Sequence, residues 1–327
     1  MNRMLTTIAA GMLAAGMAAQ GPIQASAQDY PTQTIKLISS FGAGGGSDIV
    51  GRIIAPRLQE KLGQAVVVEN RPGAGGLLGN EAVANSPKDG YTLGVQTAGQ
   101  LITPVMTKNV RFDAVESFDW IGQIAVVGLL FAVRPDYPHK DIKSLVAAAK
   151  AEPGKIVFAS PGFGATQHLA AELFKQVAGV DMLHVPYRTS PEALASLLSK
   201  NTDVLFDTMT AVLGQVQSGQ VRALAITGKD RDPAAPDIPA VVESGVVPNY
   251  DVTTWYGLYG PKGMPPAVIA KLNKALNEIL LEPETRERLS RTGVIVKSST
   301  PEAWYEFMVS EYRKWAEVRV KSGLEQR

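Results

Sequence analysis

Ser40-Phe41-Gly42-Ala43-Gly44-Gly45-Gly46-Ser47-Asp48 follows the apolar run Ile35 to Ser39. It precedes Ile49, Val50, Ile53, Ile54, Leu58 and Leu62, which recur at the spacing of one helix face. The same order recurs twice. Asn70-Arg71-Pro72-Gly73-Ala74-Gly75-Gly76 follows the strand-like Ala65 to Val68 and leads to a helix around Gly79 to Ala84. Ser160-Pro161-Gly162-Phe163-Gly164-Ala165-Thr166 lies between Ile156 to Ala159 and a helix over His168 to Val177. A strand–glycine loop–helix unit aims the unbonded N–H groups of a helix N-terminus beyond the sheet edge. Three such units predict an anion held mainly by main chain.

The alternation continues along the chain. Strands are expected at Tyr91 to Val95, Ile124 to Val133, Met182 to Val185, Val204 to Phe206 and Val221 to Ile226. Helices are expected at Ile142 to Ala151, Pro191 to Ser199, Ala211 to Ser218, Ala267 to Leu281, Glu284 to Arg291 and Pro301 to Lys321. Gly63 is placed to cap the first helix, Pro56 to kink it, and Thr300 to cap the last. Short buried strands alternating with helices imply α/β layers with mostly parallel sheets, whose ligands sit at the carboxyl ends of the strands.

Met1 to Ala27 reads as a secretory signal peptide, with Arg3 as its charge, a short alanine-rich apolar stretch and Ala25-Ser26-Ala27 before the cleavage point. A soluble periplasmic protein starting at Gln28 is the expectation. Without Arg3, 31 basic residues face 31 acidic ones, so no global field draws the chain to nucleic acid or to a membrane. The absence of cysteine excludes disulfides, thiolate metal sites and a cysteine nucleophile.

The signatures of several chemistries are missing. Gly42-Ala43-Gly44 begins like a dinucleotide loop, but its third glycine position is Ser47, and no lysine makes a phosphate-binding Walker loop. His139, His168 and His184 lack short metal-ligand spacing, so neither metal nor cofactor is expected. No nucleophile elbow occurs, and spacing gives no support to a Ser160/His168/Asp207 triad. His184 reads as a structural strand residue, whereas His168 either serves a site or ties the third loop in place. Asp48 reads as a helix cap and Arg71 as a brace for loop carbonyls. Asp207 ends a strand, where it either faces a ligand or caps the following helix. As a ligand group it would accept from a hydroxyl, amine or protonated acid, or order a water, and repel a second carboxylate.

These stretches together resemble the Bug-type periplasmic solute receptors of tripartite tricarboxylate transporters. The resemblance is carried, in order, by the first loop, by Val67 to Gly76, Asp89-Gly90-Tyr91-Thr92-Leu93, Ser160-x-Gly162-x-Gly164 with His168-Leu169, His184-Val185-Pro186-Tyr187, and Phe206-Asp207. It implies a non-enzymatic, monomeric receptor with a two-domain periplasmic-binding-protein (Venus flytrap) fold, mixed but mostly parallel sheets flanked by helices, and two hinge crossings. Residues 28–125 plus 253–327 form domain one and 126–252 domain two. A small mono-, di- or tricarboxylate is held between them and delivered to integral membrane subunits of the transporter. The ligand-contacting residues implied are Phe41, Gly42, Ala43, Gly44 and Gly45; Ala74, Gly75, Gly76 and Thr97; Ser160, Gly162, Phe163, Gly164, Ala165, Thr166, His168 and Asp207. Ala165 stands where the family commonly has Ser or Thr, Phe163 occupies a variable loop position, and Thr189 replaces a usual glycine. These departures suit a bulkier or more apolar carboxylate, an aromatic one included. Two other roles fit the same features less directly: a ligand sensor for a periplasmic sensor domain, and an exported hydrolase.

Overall fold

The computed structural model describes residues 30–321 and 326; the signal-peptide reading of Met1 to Ala27 lies outside them. Residues 31–327 group as one unit. Its first part builds three parallel strands, β1 (Ile35–Ser39), β2 (Val66–Asn70) and β3 (Thr92–Gln96), in the order β2-β1-β3. Helix α1 (Gly46–Leu62) starts inside the first glycine loop and runs through Pro56 as one element to the left-handed cap Gly63. A short 3-10 turn (Ala74–Gly76) leads into α2 (Leu77–Ala84).

The first departure from expectation is α3 (Gly99–Met106), which carries Pro104 and follows β3 directly. The second is β4 (Phe118–Val133), which starts six residues before Ile124 and spans sixteen residues. Its first stretch pairs antiparallel with β9 (Thr253–Pro261) and with β10 (Val294–Val296). From Leu129 onward it pairs instead with β7 (Val204–Thr208) and β8 (Arg222–Ile226). Strand β5 (Val157–Pro161) is parallel to both β7 and β6 (Leu183–Tyr187). Between these strands lie α4 (Ile142–Ala151), α5 (Thr166–Ala178), α6 (Ser190–Leu198) and α7 (Met209–Gln217). The chain ends with α8 (Pro266–Leu281), α9 (Pro283–Ser290) and α10 (Pro301–Lys321).

Local chemistry explains several boundaries. Asp141 and Ser144 form a reciprocal capping box at the start of α4. Strand β1 is buried at four of five positions, which gives a continuous apolar run rather than an alternating one. Strand β9, which begins at the second expected domain boundary, was not among the expected strands. Its alternating small and aromatic residues pack a glycine, Gly257, directly under the Trp304 indole of α10, where a Cβ would collide.

The apolar interior forms separate clusters on the two halves of the sheet. One gathers Ile38, Leu101, Phe118, Trp120, Trp255, Tyr259, Trp304 and Met308, so α10 completes the half built by the start of the chain. The Trp255 and Trp304 rings meet edge to face at 4.9 Å. The other gathers Leu129, Phe131, Phe158, Phe174, Phe206, Leu224 and Tyr250.

A hydroxyl ties the strands where β4 changes partners. Fully buried Thr227 accepts from Leu129 N at 2.8 Å and donates to Val252 O at 2.6 Å. Its own amide donates to Leu129 O and its carbonyl accepts from Val252 N. Thr227→Val keeps the volume but leaves a backbone donor and acceptor unpaired in the interior. Urea unfolding should show a loss of about 2–4 kcal/mol; an unchanged midpoint would refute this account of the joint.

Candidate functional site

The carboxyl ends of β1, β2, β3, β5 and β7 deliver their loops to one cleft between the two halves, and those loops meet backbone to backbone. A Cβ on Gly75 would come 2.6 Å from Phe163 O, and one on Gly162 would come 3.1 Å from the Gly75 Cα. Gly42 lies against the Thr189 side chain so closely that no larger residue fits. Thr103 of α3 shares its hydroxyl proton between Gly75 O at 2.9 Å and Gly164 O at 3.1 Å, linking the second and third loops. Gly75, Gly162 and Gly164 have φ of +64°, +113° and +75°, so glycine is required for conformation as well as clearance.

A cavity of about 480 Å³ opens between these loops. Of the expected residues, Phe41, Ala74, Gly75, Gly76, Gly162 and Phe163 line it. Leu77, Leu78, Tyr187 and Arg188 also line it and were not expected there, although Tyr187 ends a stretch that carried the resemblance.

Part of the expected amide set is already engaged. Gly44 N donates to Asp48 Oδ2 and Gly45 N to Gly42 O. Gly76 N donates to Gly73 O, Gly162 N to Ser160 O and Gly164 N to His168 Nδ1. The Ala74 and Gly75 amides beside the cavity donate to no acceptor among the described residues, and neither do Thr166 N and Gln167 N in the first turn of α5. By the same count Gly42 N, Ala43 N, Gly46 N and Ser47 N of the first loop also donate to no acceptor among the described residues, so uncommitted donors remain in all three loop regions. Ala43 and Gly44 are exposed; Thr97 is buried, its amide donating to Gln96 Oε1.

Asp48 is not an N-cap: extended Gly45 holds that position without a side-chain bond. The Asp48 carboxylate accepts from Gly44 N, Arg52 Nε and Asn70 Nδ2, each at 2.9 Å, and so braces the first loop against β2. Burial raises its pKa, but these bonds outweigh burial and hold it below the usual value. Arg71 does not brace carbonyls; its guanidinium pairs with Glu69 at 2.7 Å on the surface.

The residues of the conceivable triad are assigned elsewhere. Ser160 Oγ pairs with His184 Nε2 at 2.8 Å rather than with His168. His168 Nδ1 accepts from Gly164 N, so this histidine ties the third loop in place. Its ring stacks on His184 at 4.0 Å, and His184 stacks on Phe158 at 4.7 Å. Phe163 lies 4.7 Å from His168, tilted against it, so four rings, Phe163, His168, His184 and Phe158, pack in succession beside the cavity. Ala165 is the extended N-cap of α5.

Asp207 sits deeper, fully buried, and caps nothing, because α7 starts at Met209 with Thr208 as N-cap. Its Oδ1 accepts from Thr208 N at 2.7 Å and from Gln167 Nε2 at 3.3 Å. Ser190 lies close enough to favour the charged form, yet no bond of normal geometry reaches Oδ2. Gln167 Oε1 and the hydroxyls of Thr166, Thr208, Thr210 and Tyr256 are likewise buried without a bond of normal geometry. The Tyr256 hydroxyl packs directly on Gly46 at the start of α1, so this polar group joins both halves. Burial pushes the Tyr256 phenol up to about 12, which keeps it a neutral donor.

Burial also pushes the Asp207 carboxyl up to about 6, from an ordinary 3.8. The native state then holds this proton more tightly than the unfolded chain between those values. Stability should fall as pH rises from about 4 to about 6, by up to about 3 kcal/mol. Asp207→Asn should flatten that segment of a melting-temperature profile. An identical slope in both proteins would show that Asp207 titrates normally.

The comparisons agree with this architecture. Residues 50–324 match the family described as the tripartite tricarboxylate transporter family receptor. Protein BugT of Bordetella pertussis is 33% identical over 325 residues, covering 99% of this chain and 98% of BugT. The structure of the periplasmic binding protein BugD is 35% identical with a TM-score of 0.87, covering 91% of this chain and all of BugD. An R. palustris protein solved with adipate is 29% identical with a TM-score of 0.87, covering 90% and 99% of the two chains. The fold is thus the α/β periplasmic-binding-protein fold, and the chain belongs to the tripartite tricarboxylate transporter receptor family, a family of solute-binding receptors and not of enzymes.

Proposed function

We propose that this chain is an exported, periplasmic receptor that captures a small carboxylate between two lobes and hands it to the integral membrane subunits of a tripartite transporter. The observation that carries the reading is the pair of uncommitted amides, Ala74 N and Gly75 N, beside a cavity that the third loop closes from the other half. Main-chain donors can bind a carboxylate without the desolvation cost of a buried cation. Adipate in a structural relative of this family points the same way.

The lobes proposed are residues 28–125 with 253–327, and residues 126–252. The change of pairing partner along β4 and the start of β9 at Thr253 support boundaries near these points. The receptor acts as a monomer, without cofactor or metal. The expected contact set is proposed with its weight on Phe41, Ala74, Gly75, Gly76, Gly162, Phe163, Thr166 and Asp207.

A thermal-shift screen of the purified protein with mono-, di- and tricarboxylates tests the reading. A ligand at a hundred times its Kd should add about 2.7 kcal/mol to stability. Proline cannot adopt the φ of +64° found at Gly75, so Gly75→Pro should abolish the shift, while Arg71→Lys should retain it. The reverse result would overturn a main-chain anion site.

Small-angle scattering should show compaction at saturating ligand. An unchanged profile with confirmed binding would refute lobe closure.

A further inference from the structure

Building on the receptor reading, we infer that the ligand is an aromatic monocarboxylate. Phe41, Leu77, Leu78, Pro161, Phe163 and Tyr187 are among the residues that line the cavity, so its wall is largely apolar. Its volume of about 480 Å³ lies in the range of clefts that enclose a small organic molecule. One charged residue, Arg188, is among the lining residues, and its guanidinium makes no ion pair among the described residues. A single anionic group is therefore matched by the Ala74 and Gly75 amides with Arg188 at the rim. A second carboxylate would meet apolar walls, where its desolvation finds no matching donor.

The wall is also specific in shape. Phe163 belongs at once to the cavity wall and to the ring column His168–His184–Phe158. That column is fixed at both ends of its polar rim: His168 by the Gly164 amide and His184 by the Ser160 hydroxyl. The Phe163 ring is thus a held platform, and the left-handed glycines on either side of it set its direction. A planar ring in the cavity gains stacking on a surface that loses little freedom, whereas a flexible aliphatic chain gains buried area alone and must be ordered.

Calorimetry on the purified protein with phenylacetate, hexanoate and adipate decides the matter. Phenylacetate should bind at least about tenfold more tightly than adipate. Phe163→Leu keeps an apolar side chain but removes the ring; it should cost phenylacetate about tenfold and leave hexanoate within about twofold. Leu78→Ala, at a side chain 52% exposed and so removable without disturbing the core, should weaken phenylacetate as well. Tight adipate with weak phenylacetate overturns this inference while leaving the receptor reading intact. An unchanged preference in a folded Phe163→Leu protein also overturns it. No heat with any of the three probes, in a protein of wild-type melting behaviour, counts instead against the receptor reading.

Discussion

Everything at the cleft depends on one strand changing partners. Phe118–Val133 is the longest strand described, and its two ends are claimed by different sets of neighbours. A single backbone therefore sets the register of both halves, so the parallel strands on each side bring their carboxyl ends to the same gap. Thr227 fixes the switch itself, because its hydroxyl and peptide group satisfy the adjacent strands at Leu129 and Val252. Polar satisfaction by one side chain lets two sheet segments diverge without leaving buried backbone groups unpaired.

The glycines of the three loops do two different jobs. Some supply conformations: Gly75, Gly162 and Gly164 occupy left-handed backbone regions. Others supply clearance: Gly42 makes room for Thr189 and Gly46 for Tyr256. Clearance is what lets the halves meet through main chain. Some loop amides, such as Gly45 N, Gly76 N and Gly162 N, close turns within their own loop, while Ala74 N and Gly75 N stay uncommitted beside the cavity.

Around Asp207 lies a group of buried hydroxyls and amides, with several atoms that lack a bond of normal geometry. Buried polar groups in folded proteins are nearly always paired, so in the receptor reading proposed above these are the atoms that a ligand group or an ordered water would pair. The group is built from both halves and contains no cation. Its field resists a second anion, while its hydroxyls remain able to orient a neutral group or a water.

The local elements were largely legible in the residues. The capping box at Asp141, the left-handed cap Gly63, the β1 run and the three glycine loops follow from short-range chemistry, and their order carried the family resemblance. What was illegible has a common cause. Strands β9 and β10 and the early part of β4 are specified by distant partners, so their small and aromatic residues show no clear period until Gly257 meets Trp304. Helix α3 was hidden by Pro104 and by a start without a side-chain cap. Asp48 and Arg71 were read as a cap and a carbonyl brace; the bonds of Asp48 to Gly44, Arg52 and Asn70 and the ion pair of Arg71 with Glu69 took both elsewhere. The sequence by itself determined which segments could present backbone donors and which chemistries were absent. Only the tertiary structure decided which donors stay uncommitted, since hydrogen bonds such as those from Gly44 to Asp48 and from Gly164 to His168 depend on side chains placed by packing, not by spacing alone.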